Sequence, residues 1–466
     1  MDTVIPCRYD CGVIHWEEIL RFPRGPGRIA TLILIISCCT ASLFGGPPET
    51  VTRLEKDPLA LYARSAVLID QVSGRILYQR NPDQPMVPAS LAKLMTLHIV
   101  YQKLADRTIS RSDVVTLSSN AWADHQAPGS TLMNLGPGQI VTVEELMKGA
   151  AIASGNDAAT ALAEYTAGST SAFVRMMNDE ARFMGYSTMR FTDPAGVGVD
   201  NTVTARELAD FCRRYIDDHP EALGELHSLR EFDYPLPQNI PGVRNASRET
   251  KKQYNGNWLV WDGIGVDGLK TGHLDNENFT AAITARRGGM RLIAVLLGVP
   301  GTSLTDGARH RMDDSMALIT WGFRSFSTVD LDAPALPGAR VWKGETREVP
   351  VAPAGPVRLT ARPEELANLT YTVLARIPLI APVYKGQQVG DLVYSAGTEE
   401  VGRVALLAAV DVNGAGILRW AWDSIVLGLT LMLDDTSAAA HAALDTLHPT
   451  AIVSAGGPEA AGRHAQ

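Results

Sequence analysis

Cysteine is scarce in this chain, and its placement excludes a disulfide-built fold. The five cysteines are Cys7, Cys11, Cys38, Cys39 and Cys212. Four precede residue 40, so a chain that has lost that segment keeps Cys212 alone and forms no internal disulfide. No Cys and His grouping has structural zinc spacing and no HExxH occurs, so no metal and no other cofactor is expected. A basic excess is also missing. Lys and Arg total 42 against 51 Asp and Glu, a formal net charge of -9, so nothing is available to neutralise a phosphate backbone. Nucleic acid is excluded as a general partner on that ground. Long apolar runs are wanting too: Ile29 to Ile36 is too short to span a bilayer. No internal repeat is evident.

What is present suits a soluble globular chain of two or three domains, with 45% hydrophobic and 20% charged residues over 466 positions. Arg21, Arg24 and Arg28 precede the apolar run, and small residues follow it to Ser42. That order reads as an export signal, so residues 1–46 are expected to be an N-terminal extension and signal. Ile35-Ile36-Ser37-Cys38 also fits a lipoprotein cleavage box. Residues 55–328 read as one mixed α+β domain. A hairpin is expected over Ser65 to Asp70 and Arg75 to Gln79. Helices are expected over Ser90 to Leu104, Val143 to Thr166, Ser171 to Met184 and Thr204 to Asp217, the last opened by a capping box at Thr204 and Glu207. Strands follow at Asn278 to Ala285 and Met290 to Val299, then a closing helix over Asp313 to Arg324. Residues 330–412 carry short apolar runs broken by Pro and Gly, the pattern of a small all-β domain. Residues 415–434 read as an amphipathic helix with Arg419, Asp423 and Thr430 on one stripe and Trp420, Trp422 and Ile425 elsewhere. It suits either a membrane interface or its own domain's surface. Residues 435–466 are Ala-, Gly- and Thr-rich and are expected to be disordered.

Three short segments carry chemistry. In Val87-Pro88-Ala89-Ser90-Leu91-Ala92-Lys93, a helix starting near Pro88 would stack Lys93 beside Ser90. A serine hydroxyl needs a neighbour to take its proton, and a buried amine loses enough proton affinity to do so. Taken singly the pair is cheap, since about two such spacings arise by chance in a chain this long. Its companions are Ser154-Gly155-Asn156 and Lys270-Thr271-Gly272-His273. Ser118-Ser119-Asn120 matches the middle pattern as well.

In that order the trio resembles the motifs of serine β-lactamases and penicillin-binding proteins. The resemblance runs from about residue 60 to 435 and is to low-molecular-weight D-alanyl-D-alanine carboxypeptidases. It includes Thr320-Trp321-Gly322-Phe323 and Ala381-Pro382-Val383-Tyr384-Lys385-Gly386. It implies a transpeptidase-like domain of antiparallel sheet and helices, then a small all-β domain and a C-terminal anchor helix. It also implies an exported protein on the periplasmic face of the bacterial cytoplasmic membrane, held there by that helix. The expected partners are peptidoglycan stem peptides, with β-lactams as covalent inhibitors. Ser90 would be the nucleophile and Lys93 its proton acceptor. Ser154 would relay a proton to the leaving nitrogen, and Asn156 would hold Lys93 and a substrate amide. Lys270 would add positive charge, and small Thr271 and Gly272 would leave room for a substrate backbone. The backbone N–H groups of Ser90 and His273 would face the oxyanion. Arg311 would meet the terminal carboxylate. The chain departs from the family pattern at Leu274 to Asn278 and at Gly256, both near the expected site edge. An endopeptidase, a β-lactamase or a non-catalytic wall-binding scaffold are the other functions open to this pattern.

Overall fold

A computed structural model describes residues 57–240, 249–376 and 378–434. The expected signal within 1–46 and the tail 435–466 lie outside the described residues. In chain order, β1 (Ser65–Asp70) and β2 (Ile76–Arg80) form the hairpin read from the sequence. Helices α1 (Lys93–Ala105), α2 (Val143–Ala151), α3 (Asn156–Ala167), α4 (Thr170–Phe183) and α5 (Ala205–Asp218) follow. Strands β3 (Val266–His273), β4 (Phe279–Arg287) and β5 (Met290–Val299) then complete a sheet of order β2-β1-β5-β4-β3, antiparallel throughout. Helix α6 (Leu304–Ser325) closes the domain.

The sheet is covered on both faces, which is why β5 reads as an unbroken apolar run. Ile293, Val295 and Leu297 enter the core shared with α1 to α5. Their alternate neighbours Leu292, Ala294 and Leu296 enter the core against Leu318 and Ile319 of α6. Each of these Ile, Val and Leu side chains contributes about 1.5–3 kcal/mol by leaving water. Strand β3 is an edge of this sheet, so one side of it is free to receive a ligand.

Three local expectations need correction. The single helix read over Val143 to Thr166 is two helices, broken at Ile152 to Gly155. Ser154 there takes a positive φ of 56, and a Cβ on Gly155 would lie 2.9 Å from the Met133 nitrogen. The closing helix begins at Leu304, not Asp313, because the Ser303 hydroxyl caps it by accepting the Asp306 N–H. The capping box at Thr204 is only half formed. Thr204 accepts the Glu207 N–H at 3.2 Å, but the Glu207 carboxylate accepts from the Ser187 and Thr188 N–H groups instead. The reciprocal box stands at Thr142 and Glu145.

Between α6 and residue 416 the described residues are all-β apart from one short helical turn. Strand β6 (Ser327–Leu331) pairs with β8 (Val357–Ala361). Strands β7 (Val351–Pro353), β9 (Leu369–Ala375), β10 (Gln388–Ala396) and β11 (Glu399–Ala408) form a sheet of order β7-β11-β10-β9. Arg75, at the β1–β2 turn, grips this region. Its guanidinium donates to both Glu365 oxygens at 2.9 and 2.8 Å, to Glu399 and to the Thr360 carbonyl. The C-terminal helix α7 (Ile417–Asp434) turns Arg419 and Asp423 of its stripe toward the β domain. Asp423 accepts the Lys343 N–H at 2.7 Å, and Arg419 donates to the Glu345 carbonyl at 2.8 Å. Ile417, Leu418, Trp422 and Ile425 are exposed. No described helix is long and apolar enough to cross a membrane.

Candidate active site

Ser90 does not lie on the α-helix expected for it. It sits in a 3-10 turn, Ala89–Ala92, and Lys93 is the first residue of α1. The tighter turn eclipses residues three apart, so the two side chains still meet. Lys93 Nζ lies 3.1 Å from Ser90 Oγ. It also donates to Asn156 Oδ1 at 2.7 Å and to the Ala195 carbonyl at 2.8 Å. The lysine is wholly buried, which pulls its pKa down to about 7 against the opposing charges of Asp193 and Asp157.

Those three contacts fix what the amine can do. An ammonium has three protons to donate; a neutral amine has two and one lone pair. Two carbonyl-type oxygens take two protons and can return none. The third direction points at the serine hydroxyl, so the neutral amine aims its lone pair there.

Asn156 is held by the break between α2 and α3. Its N–H donates to the Thr131 carbonyl at 2.9 Å, while Thr131 Oγ1 donates to the Ser154 carbonyl at 2.7 Å. Asp157 next door is buried and accepts the Met133 and Leu135 N–H groups at 2.8 and 3.0 Å. The half-buried Ser154 hydroxyl has no hydrogen-bond partner among the described residues. The look-alike at Ser118 to Asn120 is structural: Ser118 and Asn120 both donate to Glu164.

The edge strand β3 supplies the other wall. A Cβ on Gly272 would lie 2.8 Å from the Ser90 nitrogen and 2.7 Å from Thr280 Oγ1. The absence of a side chain there lets the strand reach the nucleophile's N–H. Thr280 Oγ1 reinforces the contact by donating to the Pro88 carbonyl at 3.0 Å. From below, His227 Nδ1 bonds the Leu269 carbonyl at 2.9 Å, and Asn257 donates to the Gly268 carbonyl at 3.0 Å. His273 stacks on Phe279, with ring centroids 5.6 Å apart. Arg311 reaches in from α6 and donates to the Gly272 carbonyl at 3.0 Å.

The wall is cationic and unneutralised. Lys270 is buried and donates to the Thr271 carbonyl at 2.7 Å. Burial, then the neighbouring Lys93 and Arg311, drive its proton affinity well below the ordinary amine value. Burial likewise lowers Arg311 to about 10, and no carboxylate pairs with it among the described residues. An arriving carboxylate would favour the charged form of Lys270, as an opposite charge does. A cavity of about 10 Å³, room for one water, opens beside Thr271, Arg311, Gly256 and Trp258.

The loop that delivers the Ala195 carbonyl lies outside the three sequence motifs. Asp193 organises it by accepting four backbone N–H groups and the Asn201 amide. Asp193-Pro194-Ala195-Gly196 carries a turn signal, but nothing local says that the turn ends against Lys93, 102 positions away. The departure at Leu274 to Asn278 is a closed turn, with Asp275 accepting from the Glu277 N–H and the Asn278 amide.

Comparison with known proteins places this geometry among relatives. Residues 51–301 match the family described as D-alanyl-D-alanine carboxypeptidase, and residues 335–414 match the penicillin-binding protein 5 C-terminal domain. The chain is 35% identical over 376 residues to D-alanyl-D-alanine carboxypeptidase DacC of Escherichia coli, covering 78% of this chain and 88% of that protein. DacA of Haemophilus influenzae is 33% identical over 376 residues, covering 79% and 90%. The crystal structure of penicillin binding protein 5 from Haemophilus influenzae superposes with a TM-score of 0.65 at 32% identity, over 76% of this chain and 99% of that one.

Proposed function

Because the chain belongs to the D-alanyl-D-alanine carboxypeptidase family, we infer that it runs a serine acyl-transfer reaction on the wall peptide. It is a serine-type D-Ala-D-Ala carboxypeptidase. It removes the terminal D-alanine from peptidoglycan stem pentapeptides, and penicillins intercept the same serine. Ser90 Oγ attacks the carbonyl of the penultimate D-alanine, and Lys93 accepts the hydroxyl proton as the C–O bond forms. The N–H groups of Ser90 and His273 receive the oxyanion. The C–N bond breaks as the Ser154 hydroxyl passes a proton to the leaving amine. Lys270, Thr271 and Arg311 hold the leaving carboxylate, while Gly272 lets the substrate backbone lie along β3. Water then cleaves the acyl-serine ester and Ser90 recovers its proton.

One observation carries this reading: a dry lysine amine has two of its directions taken by acceptors and the third aimed at Ser90. A fluorescent penicillin tests it. Wild-type protein should be labelled covalently and should release D-alanine from a pentapeptide. Ser90→Ala should lose both while melting like wild type. A wild type that never labels would favour the wall-binding scaffold. Rapid turnover of penicillin with no D-alanine release would favour a β-lactamase. Cleavage of cross-linked dimers in preference to pentapeptide would favour an endopeptidase.

The setting is proposed on separate grounds. Helix α7 fastens its polar stripe to the β domain and leaves Trp420, Trp422, Ile425 and Leu429 outward. Such a helix suits the headgroup level of a membrane. The catalytic domain would then stand on the periplasmic face of the cytoplasmic membrane, exported by the signal read in the first 46 residues. Flotation with anionic vesicles should carry the full chain and leave a chain ending at residue 414 behind. Equal flotation of the two would end this reading.

A further inference from the structure

Lys93 has two acceptors besides the serine, and the residue behind one of them lies outside the three motifs. The Ala195 carbonyl belongs to a loop, 193–198, that makes no regular structure. Asp193 holds that loop. Its Oδ1 accepts the N–H groups of Ala195 at 2.8 Å, Gly196 at 2.6 Å and Val197 at 3.1 Å. Its Oδ2 accepts Gly198 N–H at 2.8 Å and Asn201 Nδ2 at 2.8 Å. Two more contacts press the loop onto the nucleophile's own segment. Thr96 Oγ1 of α1 donates to the Pro194 carbonyl at 2.6 Å, and Gly196, at φ 81, lies where any Cβ would overlap the Ala89 carbonyl. A turn needs one or two such bonds to form. Five on one carboxylate hold it charged and still.

We propose that Asp193 is a positioning residue for the reaction: it fixes the Ala195 carbonyl against the Lys93 amine and sets a permanent negative charge beside that amine. The proposal rests on Lys93 acting as the base. Fixing the carbonyl matters because the amine's two donated protons decide where its lone pair points. If the Ala195 carbonyl drifts, the amine turns and the lone pair leaves Ser90. The charge matters because the pocket is otherwise hostile to a proton. Lys270 of β3 and Arg311 of α6 are the basic groups nearest the amine, His273 of β3 has its proton affinity lowered by burial and by those neighbours, and Asp157 of α3 is the other carboxylate near Lys93. Burial tends to raise the Asp193 carboxyl, but the Asn201 amide and the backbone N–H groups outweigh it and leave it below its ordinary range. It stays ionised wherever the enzyme works, and keeps Lys93 basic enough to take the serine proton.

The test is the rate constant for acylation of Ser90 by a fluorescent penicillin, measured from about pH 5 to about pH 9 in wild type and Asp193→Asn. In wild type the rate should rise through about pH 7. In D193N the midpoint should move down by about 1 pH unit, since an opposite charge at close range shifts a group by that order. The plateau should fall about tenfold to a hundredfold, with the noncovalent dissociation constant for the penicillin changed by less than about threefold. A purely structural aspartate would lower the rate equally at every pH and leave the midpoint in place, and that result overturns the proposal. Should D193N fail to fold, Asn201→Ala serves, because it keeps the charge and removes one of the five donors. It should leave the midpoint unmoved and slow the plateau about tenfold; an unchanged plateau overturns the proposal. A wild type with no rise through neutral pH is a different failure, because it removes Lys93 as base. A wild-type rise that D193N does not move removes only the role given to Asp193.

Discussion

Gly272→Ala places one methyl group between the edge strand and the nucleophile. The added Cβ would meet the Ser90 nitrogen at 2.8 Å, Thr280 Oγ1 at 2.7 Å and Ala89 Cβ at 3.2 Å. Ordinary carbon contacts begin near 3.4 Å or beyond, so each neighbour must retreat by several tenths of an ångström. None can do so alone. The Ser90 nitrogen belongs to a backbone turn, and Thr280 is tied to the Pro88 carbonyl. Gly272 does not occupy the left-handed region, so the whole effect is steric. Strand β3 must therefore shift away from the serine, and it is an edge strand, free to yield on one side. Overpacking of this kind costs roughly 1–3 kcal/mol of stability. The same shift opens the distance between the Ser90 and His273 N–H groups, where a misplacement near 1 Å costs about a hundredfold in rate. Stopped-flow acylation by a fluorescent penicillin, alongside a thermal melt, measures both. Acylation within about threefold of wild type would refute the close approach of the strand to the nucleophile.

Three further outcomes follow from the same geometry. Lys93 has its folded pKa depressed to about 7 from 10.5, so the unfolded chain binds the extra proton between those values and stability should rise as pH climbs through that window; Lys93→Met should flatten that rise in denaturant melts from about pH 7 to about pH 10. Asp157→Ala leaves the buried Met133 and Leu135 N–H groups without an acceptor, so it should cost roughly 3 kcal/mol in urea unfolding and slow acylation by loosening Asn156 beside it. Arg75→Ala strands the nearly buried Glu365, so it should cost roughly 3 kcal/mol in the unfolding of the β domain while penicillin acylation stays within about twofold of wild type.

The parts of this molecule that could be read from its residues are those whose cause is local. The run at 290–299 announces a strand buried on both sides, and alternate members do enter opposite cores. The three motifs announce a nucleophile, an amide and a cation strand, because each is a few residues with one job. What escaped the reading is whatever depends on a partner far along the chain. The break before Asn156 looks like continuous helix in Ala151 to Ala159, and only the Thr131 and Met133 segment packed across it explains why the chain turns there. Thr204 and Glu207 have the spacing of a capping box, yet the carboxylate finds Ser187 and Thr188 first. The pattern of the C-terminal helix suits either a membrane interface or its own domain's surface, and its two sides do different things: Asp423 and Arg419 bind the β domain while Ile417, Leu418, Trp422 and Ile425 are exposed. The same limit governs the chemistry. A motif names the lysine, but the direction of its lone pair is decided by two oxygens, one from Asn156 and one from Ala195, that arrive from positions 63 and 102 residues away. The residues that perform the reaction were therefore legible, and the residues that aim them were not.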